Sequence, residues 1–242
     1  MEIDIFIRSY YRDWEWLNLA LQSTALFVTG FRCVVVVIPR SSVARMDLTS
    51  LEKMHRVRVE VCDDYRDDYL GQQVTKLYAD TFTDAEVIVH LDSDQVFVEH
   101  CDLRRTLIDG SKVKIGYQSG NIRPAADGWR KCVPDFFGRD VAVDVTAPLP
   151  LAIQRLTYAE LRRMCRDRHG LSLADYAQAR SADRFSELAL LRAVIHIRGL
   201  PHYTWLDLRD RPLIAACRTF WSRAQSPEQV RNSLPPELSA NP

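Results

Sequence analysis

Short strand-length runs rich in Val and Ile, separated by helical patterns, constrain the fold of this chain more than any other feature. Between the runs, apolar residues recur every three or four positions, from Asp13 to about Gly30 and from Tyr69 to Phe82, as in amphipathic helices. Such β-α-β alternation predicts an α/β fold with a mostly parallel, doubly wound sheet and helices on both faces. The predicted strands are Glu2–Arg8, which we expect at the centre, Val34–Ile38, Arg56–Val61 and Glu86–Leu91.

The pattern after residue 104 is less regular. A chain of 242 residues suits one domain, which we divide into halves at residues 1–103 and 104–242. Thr157 and Glu160 have the spacing of a capping box at a helix start. The other predicted elements are a strand at Val113–Tyr117, a long loop at Gln118–Arg130, a helix from about Arg184 to Ile197, a strand at Tyr203–Leu208 and a short helix that begins at Ser226 and Pro227.

Neither the N-terminal residues nor the cysteines suggest export. The N-terminal residues are acidic where a signal peptide carries positive charge, and the longest apolar run, Cys33–Ile38, is too short to cross a bilayer. We therefore expect a cytoplasmic protein without a transmembrane segment. The six cysteines lie about thirty residues apart without a C-x-x-C pair, which argues against a zinc knuckle and a disulfide framework.

Charge is distributed unevenly although the net charge is zero. Residues 1–103 contain ten Lys or Arg against eighteen Asp or Glu, whereas residues 104–223 contain twenty-one against twelve. This division predicts that the first half handles a cation and that the second half meets an anionic molecule. The alternative is a coding bias toward arginine, since the chain has twenty-seven Arg and only five Lys.

Asp92 and Asp94 follow the predicted strand Glu86–Leu91 directly. Two carboxylates this close repel each other unless a cation lies between them, and Mg²⁺ or Mn²⁺ binds such carboxylates together with phosphate oxygens and water. The pair therefore predicts a divalent metal and a diphosphate ligand. The alternative is an ordinary solvated turn.

Three segments resemble a known family: Glu2–Arg12, Leu70–Thr81 and Val87–Phe97. They look like the nucleotide-sugar half of GT-A-fold glycosyltransferases, whose D-x-D motif follows a hydrophobic strand. The resemblance implies a GT-A-like (Rossmann-like) fold and a hexosyltransferase-type activity. It also implies a nucleotide-sugar donor, most simply a UDP-sugar, whose two phosphates are bridged by Mn²⁺ or Mg²⁺ on Asp92 and Asp94.

The same resemblance implies roles for further residues. Glu187, in the run Phe185-Ser186-Glu187, resembles the late acidic element that faces the acceptor; we expect it to be catalytic together with Asp94, although a first-turn Glu that complements the helix dipole is the alternative. Asp135 and Asp183 are lesser candidates. His202 is the preferred additional metal ligand, ahead of His169 and His196. The expected donor contacts are Arg8, Ser9 and Tyr10 at the first strand, Asp63 or Asp64 at the base, and Lys76, Asp92 and Ser93.

Two classes of acceptor remain open from the sequence. The chain is similar in size and charge division to small bacteriophage glycosyltransferases that modify hydroxymethylated pyrimidines in DNA, and its Arg-rich half suits phosphates. The competing acceptor is an envelope saccharide or lipid-linked glycan, including an acidic glycan. Trp129, Trp205 and Trp221 are candidates for stacking on a sugar or base, or for the core.

Other protein classes share parts of the pattern. A nucleotidyltransferase that acts on a sugar phosphate also uses Mg²⁺ at a sheet edge, but the first strand is followed by Ser9-Tyr10-Tyr11 without the expected glycines. In a haloacid-dehalogenase-type phosphatase the D-x-D motif follows the first strand, not a later one. A non-catalytic nucleotide-binding module is the third alternative.

Overall fold

The computed structural model describes residues 1–118, 127–146, 149–208, 212–222 and 224–239. The strands in this part are β1 (Ile3–Arg8), β2 (Val28–Thr29), β3 (Val34–Pro39), β4 (Val57–Cys62), β5 (Val87–Leu91), β6 (Gln95–Phe97), β7 (Cys101–Asp102), β8 (Ile108–Asp109), β9 (Lys112–Tyr117), β10 (Leu151–Gln154), β11 (Tyr203–Asp207) and β12 (Cys217–Thr219). The helices are α1 (Trp14–Phe27), α2 (Leu48–Glu52), α3 (Asp68–Leu77), α4 (Leu103–Leu107), α5 (Asp127–Arg130), α6 (Cys132–Phe137), α7 (Arg155–His169), α8 (Leu173–Gln178), α9 (Glu187–Arg198), α10 (Pro227–Val230) and α11 (Pro236–Ser239).

A five-stranded sheet forms the centre of the fold, with the strand order β10-β5-β1-β3-β4. The pairs β5-β1, β1-β3 and β3-β4 are parallel, so the predicted α/β class with a mostly parallel sheet is confirmed. All residues of β1 and β3 are buried because the sheet is covered on both faces, and β1 is the central strand, as predicted.

The sheet is mixed rather than fully parallel, because β10 pairs with β5 in the antiparallel direction. Leu151–Gln154 has only four residues and leads directly into α7. The sequence does not distinguish so short a strand from the start of the helix that follows it.

The predicted helices of the first half lie in the expected places with changed ends. The first ends at Phe27, because Val28–Thr29 pairs with Cys101–Asp102 instead of continuing toward Gly30. The second begins at Asp68, after the N-cap Asp67, whose side chain accepts hydrogen bonds from two backbone N–H groups, and after Leu77 it gives way to a 3₁₀ turn. Tertiary strand pairing and local capping therefore set the boundaries that the apolar spacing leaves open.

In the second half, β11 and β9 are parallel and β8 completes a three-stranded sheet. The strands predicted at Val113–Tyr117 and Tyr203–Leu208 and the short helix predicted from Ser226 and Pro227 are present. That helix begins with a capping box formed by Ser226 and Gln229. Residues 119–126 of the predicted loop lie outside the described part.

The capping box predicted at Thr157 is wrong. Helix α7 begins at Arg155, so Thr157 lies inside it and bonds to the buried hydroxyl of Tyr203 at 2.6 Å. Glu160 instead pairs with Arg163 and Arg198.

One hydrophobic core links the sheet to the helices of both halves. All six cysteines are free thiols, and Cys62, Cys101, Cys132 and Cys165 are buried in this core. In the described ranges, no helix has the length and apolar character needed to cross a lipid bilayer.

Candidate active site

The candidate site lies where the chain order of the central sheet reverses. Strand β1 has β3 on one side and β5 on the other, so the segments that follow β1 and β5 leave the same edge of the sheet side by side. Ligands of open α/β sheets bind at such switch points. Residues 9–13 follow β1 here, and Asp92-Ser93-Asp94 follows β5.

A buried ion cluster joins three residues that the sequence analysis had placed in separate elements. The ammonium of Lys76, on α3, donates to Asp92 Oδ1 and lies 3.3 Å from Glu187 Oε1, at the first residue of α9. Lys76 is 2% exposed and Glu187 5%. We call Lys76, Asp92 and Glu187 the buried ion cluster.

Burial and charge act in opposite directions on this cluster. Burial by itself would lower the pKa of Lys76, but Asp92 and Glu187 outweigh it, so the pKa is raised and the side chain stays an ammonium. Burial raises the pKa of Glu187, and Lys76 opposes that rise. Lys76 is therefore the group that opposes protonation of Glu187 in a nearly dry environment.

Two further hydrogen bonds hold Asp92. Its Oδ1 also accepts a hydrogen bond from Gln72 Nε2 at 3.1 Å, and its backbone N–H donates to Gln95 Oε1 at 3.0 Å. Gln95 in turn donates to Thr219 Oγ1 on β12. The orientation of Asp92 thus depends on α3, the turn after β5 and the C-terminal segment.

Asp94 is tied to the C-terminal segment. Its carboxylate accepts the backbone N–H of Ser222 at 2.9 Å, and its carbonyl accepts the N–H of Phe220 at 3.0 Å. Burial, and then the charge of Asp92, raises the pKa of Asp94. Asp94 is thus a largely buried carboxyl with a second carboxylate, Asp92, close by.

Asp13 is a site residue that the sequence analysis missed. The sequence marks it as a helix N-cap, and it occupies that position, but its side chain does not cap α1; it accepts a hydrogen bond from Ser93 Oγ at 3.2 Å. Burial, with contributions from Asp94, Asp92 and Asp68, raises its pKa to about 6. Its place just after the central strand is the signal that identifies it.

Arg8 and Ser9 are buried at the end of β1. The Arg8 guanidinium forms an ion pair with both carboxylate oxygens of Asp68, at the start of α3. Among the described residues, Arg8 Nε and Ser9 Oγ have no hydrogen-bond partner. Tyr10 is half-buried and its ring contacts that of Tyr11.

Asp63 and Asp64 follow the edge strand β4. Asp64 accepts the backbone N–H of Ser41 at 3.0 Å, which lowers its pKa, whereas Asp63 is exposed. Asp63 borders a cavity of about 180 Å³ whose other lining residues include Tyr65, Thr75 and Tyr78.

The structure does not bring His202 to the acidic pair. Its carbonyl accepts a hydrogen bond from Gln154, which pairs with Val87 at the start of β5, whereas Asp92 follows the end of that strand. Five residues of strand separate the two places, about 16 Å. His169 bonds to the Phe136 carbonyl and His196 packs on Trp205, both away from the pair.

The remaining candidates are scattered. Asp135 is exposed in the first turn of α6, and the side chain of Asp183 lies outside the described part of the structure. Trp129 and Trp205 are half-buried, whereas Trp221 is exposed and next to Ser222.

The oxygen ligands of this edge suit a hard divalent cation in chemical type. Within the described residues, however, no three His, Cys, Asp or Glu side chains are grouped so as to hold a metal ion by themselves. Crowded carboxylates with raised pKa values fit a cation that takes its other ligands from phosphate and water.

Many arginines of the basic half already have acidic partners. Arg162 forms a two-bond pair with Asp80, at 2.7 and 2.6 Å, and Arg163 pairs with Glu160 and Asp167. Arg123 lies outside the described residues. The excess of positive charge in the sequence is therefore partly neutralised in the fold.

No protein-family model matches this sequence, and a comparison with curated proteins gives no significant match. The function of this chain is therefore inferred from the geometry of the site.

Proposed function

We propose that this chain is a metal-dependent glycosyltransferase with a GT-A-like fold that uses a nucleotide-sugar diphosphate, a UDP-sugar in the simplest case, as its donor. The observation that carries the proposal is the buried ion cluster beside Asp94. Three separate elements bring Asp92, Lys76 and Glu187 together at the switch point of a mostly parallel sheet. Strongly perturbed, mutually paired ionisable groups at such a position are typical of functional sites.

In this proposal Asp92 and Asp94 hold Mn²⁺ or Mg²⁺. When bound, the metal stabilises the charge of the departing nucleoside diphosphate as a Lewis acid. The protein contributes fixed carboxylates: Lys76 and Gln72 orient Asp92, and the Ser222 N–H orients Asp94. Such prior ordering reduces the reorganisation that ligand binding requires.

The nucleoside would lie along the ends of β1 and β4. Arg8 Nε and Ser9 Oγ are buried polar atoms without a protein partner in the described part, so a ligand atom there would satisfy them. Tyr10 continues the same segment. Asp63, with Tyr65 and Tyr78 in the cavity beside it, is the proposed contact for the base.

Glu187 is the proposed general base. In the transfer, an acceptor hydroxyl oxygen bonds to the anomeric carbon, the bond from that carbon to the diphosphate oxygen breaks, and the hydroxyl proton passes to a carboxylate. A carboxylate whose pKa is raised by burial accepts a proton more readily near neutral pH. Lys76, whose ammonium lies 3.3 Å from Glu187 Oε1, favours the ionised form that can accept this proton.

Thermal unfolding with a panel of UDP-sugars and other nucleotide sugars, each with and without Mn²⁺, tests the proposal. We expect stabilisation that requires donor and metal together, of about 2.7 kcal/mol at a donor concentration one hundred times its Kd. The Asp94→Ala variant should lose this stabilisation. Asp135→Ala, which changes an exposed aspartate outside the site, is the matched control.

Three results would contradict the proposal or redirect it. Absence of any combined effect of donor and metal, or its persistence in Asp94→Ala, excludes the metal-bound diphosphate. Release of pyrophosphate from a nucleoside triphosphate and a sugar phosphate would identify a nucleotidyltransferase. Donor binding without turnover in the presence of acceptors would identify a non-catalytic nucleotide-binding module.

A further inference from the structure

Trp221 combines exposure with a backbone conformation that tryptophan rarely adopts. The residue is 66% exposed, and within the described residues it is the only Trp, Tyr or Phe that is exposed. Its φ of +53° lies in the left-handed region, which favours glycine and disfavours a bulky side chain. Selection for stability alone would favour glycine or asparagine at this backbone conformation, and it would favour tryptophan only where the ring is buried.

The backbone on both sides of Trp221 is fixed. The preceding N–H, of Phe220, donates to the Asp94 carbonyl, and the following N–H, of Ser222, donates to the Asp94 carboxylate. The Trp221 carbonyl itself accepts the N–H groups of Ala224 at 2.8 Å and Gln225 at 3.3 Å. The indole is therefore attached to a rigid turn beside the acidic pair.

Contacts with the hydrophobic core and with strand β6 anchor this turn. The ring of Phe220 stacks on that of buried Trp16, with centroids 5.9 Å apart and an angle of 25° between the planes. Strand β12, just before the turn, pairs with β6, which follows Asp94. Strain that persists in a well-anchored segment beside a functional site is a recognised sign of a binding role.

We infer that Trp221 is the platform on which the neutral sugar ring of a saccharide acceptor stacks during transfer. This inference rests on the proposed function and names the acceptor class for the same site. A rigid indole offers a large apolar face at little entropic cost, and the C–H face of a sugar ring matches it while the hydroxyl groups point toward the carboxylates.

The charges around Trp221 favour a neutral sugar over a nucleic acid. Asp92 and Asp94 lie at this edge of the sheet, and Asp13 joins them through the hydrogen bond that it accepts from Ser93 Oγ at 3.2 Å. Beyond the one diphosphate that a metal on Asp92 and Asp94 would hold, the further phosphates of a nucleic-acid backbone would meet these carboxylates and be repelled. Arg162 and Arg163, two of the basic residues of the second half, are paired with acidic residues of the chain.

The test measures tryptophan emission of the full chain, with UDP and Mn²⁺ present, on addition of neutral sugars: glucose, galactose, mannose, N-acetylglucosamine, maltose and cellobiose. We expect at least one sugar to change the emission saturably. Trp221→Ala should weaken that binding about tenfold, as measured by calorimetry, and Trp221→Phe less. Leu156→Ala removes a side chain that is also exposed, by 75%, and should leave the affinity unchanged.

A fourth variant separates binding from folding. Trp221→Gly relieves the left-handed backbone strain, so we expect it to raise the midpoint of thermal unfolding or leave it unchanged while it weakens sugar binding as Trp221→Ala does. A purely structural Trp221 would instead lower the midpoint and spare the affinity.

The outcomes distinguish this inference from the proposed function. If UDP-sugar and Mn²⁺ stabilise the protein but no sugar of the panel binds, or Trp221→Ala binds it normally, the platform is excluded and the glycosyltransferase proposal stands. If donor and metal have no effect but a sugar binds through Trp221, the proposed function fails and the sugar site remains. A change in tryptophan emission that short single-stranded DNA causes and the sugars do not, and that Trp221→Ala abolishes, overturns the saccharide assignment.

Discussion

Removal of the Lys76 ammonium is the most direct perturbation of the buried ion cluster. Lys76→Met keeps the unbranched apolar stem but removes the positive charge between Asp92 and Glu187. The two carboxylates then face each other across a space without a cation. Glu187, at 5% exposure, also loses its charged partner in a position that water scarcely reaches.

The expected loss in the free energy of unfolding depends on how deeply Asp92 and Glu187 are buried. Breaking a buried ion pair by removing one partner destabilises proteins by about 3–5 kcal/mol. The Asp92 side chain is 35% exposed, so water replaces part of its lost stabilisation, and we expect a value near the lower limit, about 3 kcal/mol at pH 8. Glu187 accounts for most of it.

The loss of stability in Lys76→Met should be larger at high pH than at low pH. Burial already raises the pKa of Glu187, and without Lys76 that pKa rises further. A carboxyl whose pKa is higher in the folded than in the unfolded protein destabilises the fold above its pKa and ceases to do so once it is protonated. The difference between Lys76→Met and the wild type should therefore shrink from pH 8 to pH 5.

Urea unfolding followed by circular dichroism at both pH values measures this difference. Lys53→Met, on the exposed surface, is the control and should change the free energy of unfolding by less than about 0.5 kcal/mol. Adding Glu187→Gln to Lys76→Met should recover about half of the loss at pH 8, because it removes the unpaired buried charge. A loss for Lys76→Met below about 1 kcal/mol, or one equal at both pH values, would refute the reasoning.

Two further predictions concern residues whose roles the structure revealed. Asp13→Asn should stabilise the protein at pH 8 and have little effect below pH 4. The pKa of Asp13, about 6 in the fold, exceeds its ordinary value, so the free-energy cost of ionising Asp13 in the folded protein develops as the pH rises between these two pKa values. Thermal unfolding across this pH range measures the effect, and an equal effect at both ends would contradict the assignment. Tyr203→Phe removes the buried hydroxyl that accepts the Gln154 N–H at 2.8 Å and bonds to Thr157, so it should lower the free energy of unfolding by about 1–3 kcal/mol. Urea unfolding measures that change, Tyr117→Phe is the control, and equal losses in both variants would show that the Tyr203 hydroxyl contributes nothing specific.

Much of the fold was predictable because its signals are local. Strand β3 is a continuous apolar run, β1 and β5 are mostly apolar, and α3 has strong helical spacing, so each can be identified from a window of a few residues. Local patterns do not report what a segment pairs with. For that reason the short antiparallel strand β10 and the early start of α7 were missed.

The candidate site was predictable in part for the same reason. Asp92 and Asp94 are recognisable because they follow a buried strand directly, whereas Glu187 was named from the resemblance of Phe185-Ser186-Glu187 to a late acidic element. Asp13 was assigned as a cap from its neighbours in sequence, whereas its hydrogen bond is to Ser93, eighty positions away. His202 was expected as an additional metal ligand from the family resemblance, and the strand register places it at the opposite end of β5.

The sequence by itself determined four of the five strands of the central sheet, the central place of β1, and the acidic pair that follows a buried strand. Only the tertiary structure decided that Lys76 lies between Asp92 and Glu187 and that the C-terminal turn brings Trp221 to Asp94. The physical reason is that strand and helix periodicity depend on neighbouring residues. The partner of a buried charge, by contrast, depends on how distant elements pack and on the free energy of leaving that charge unpaired.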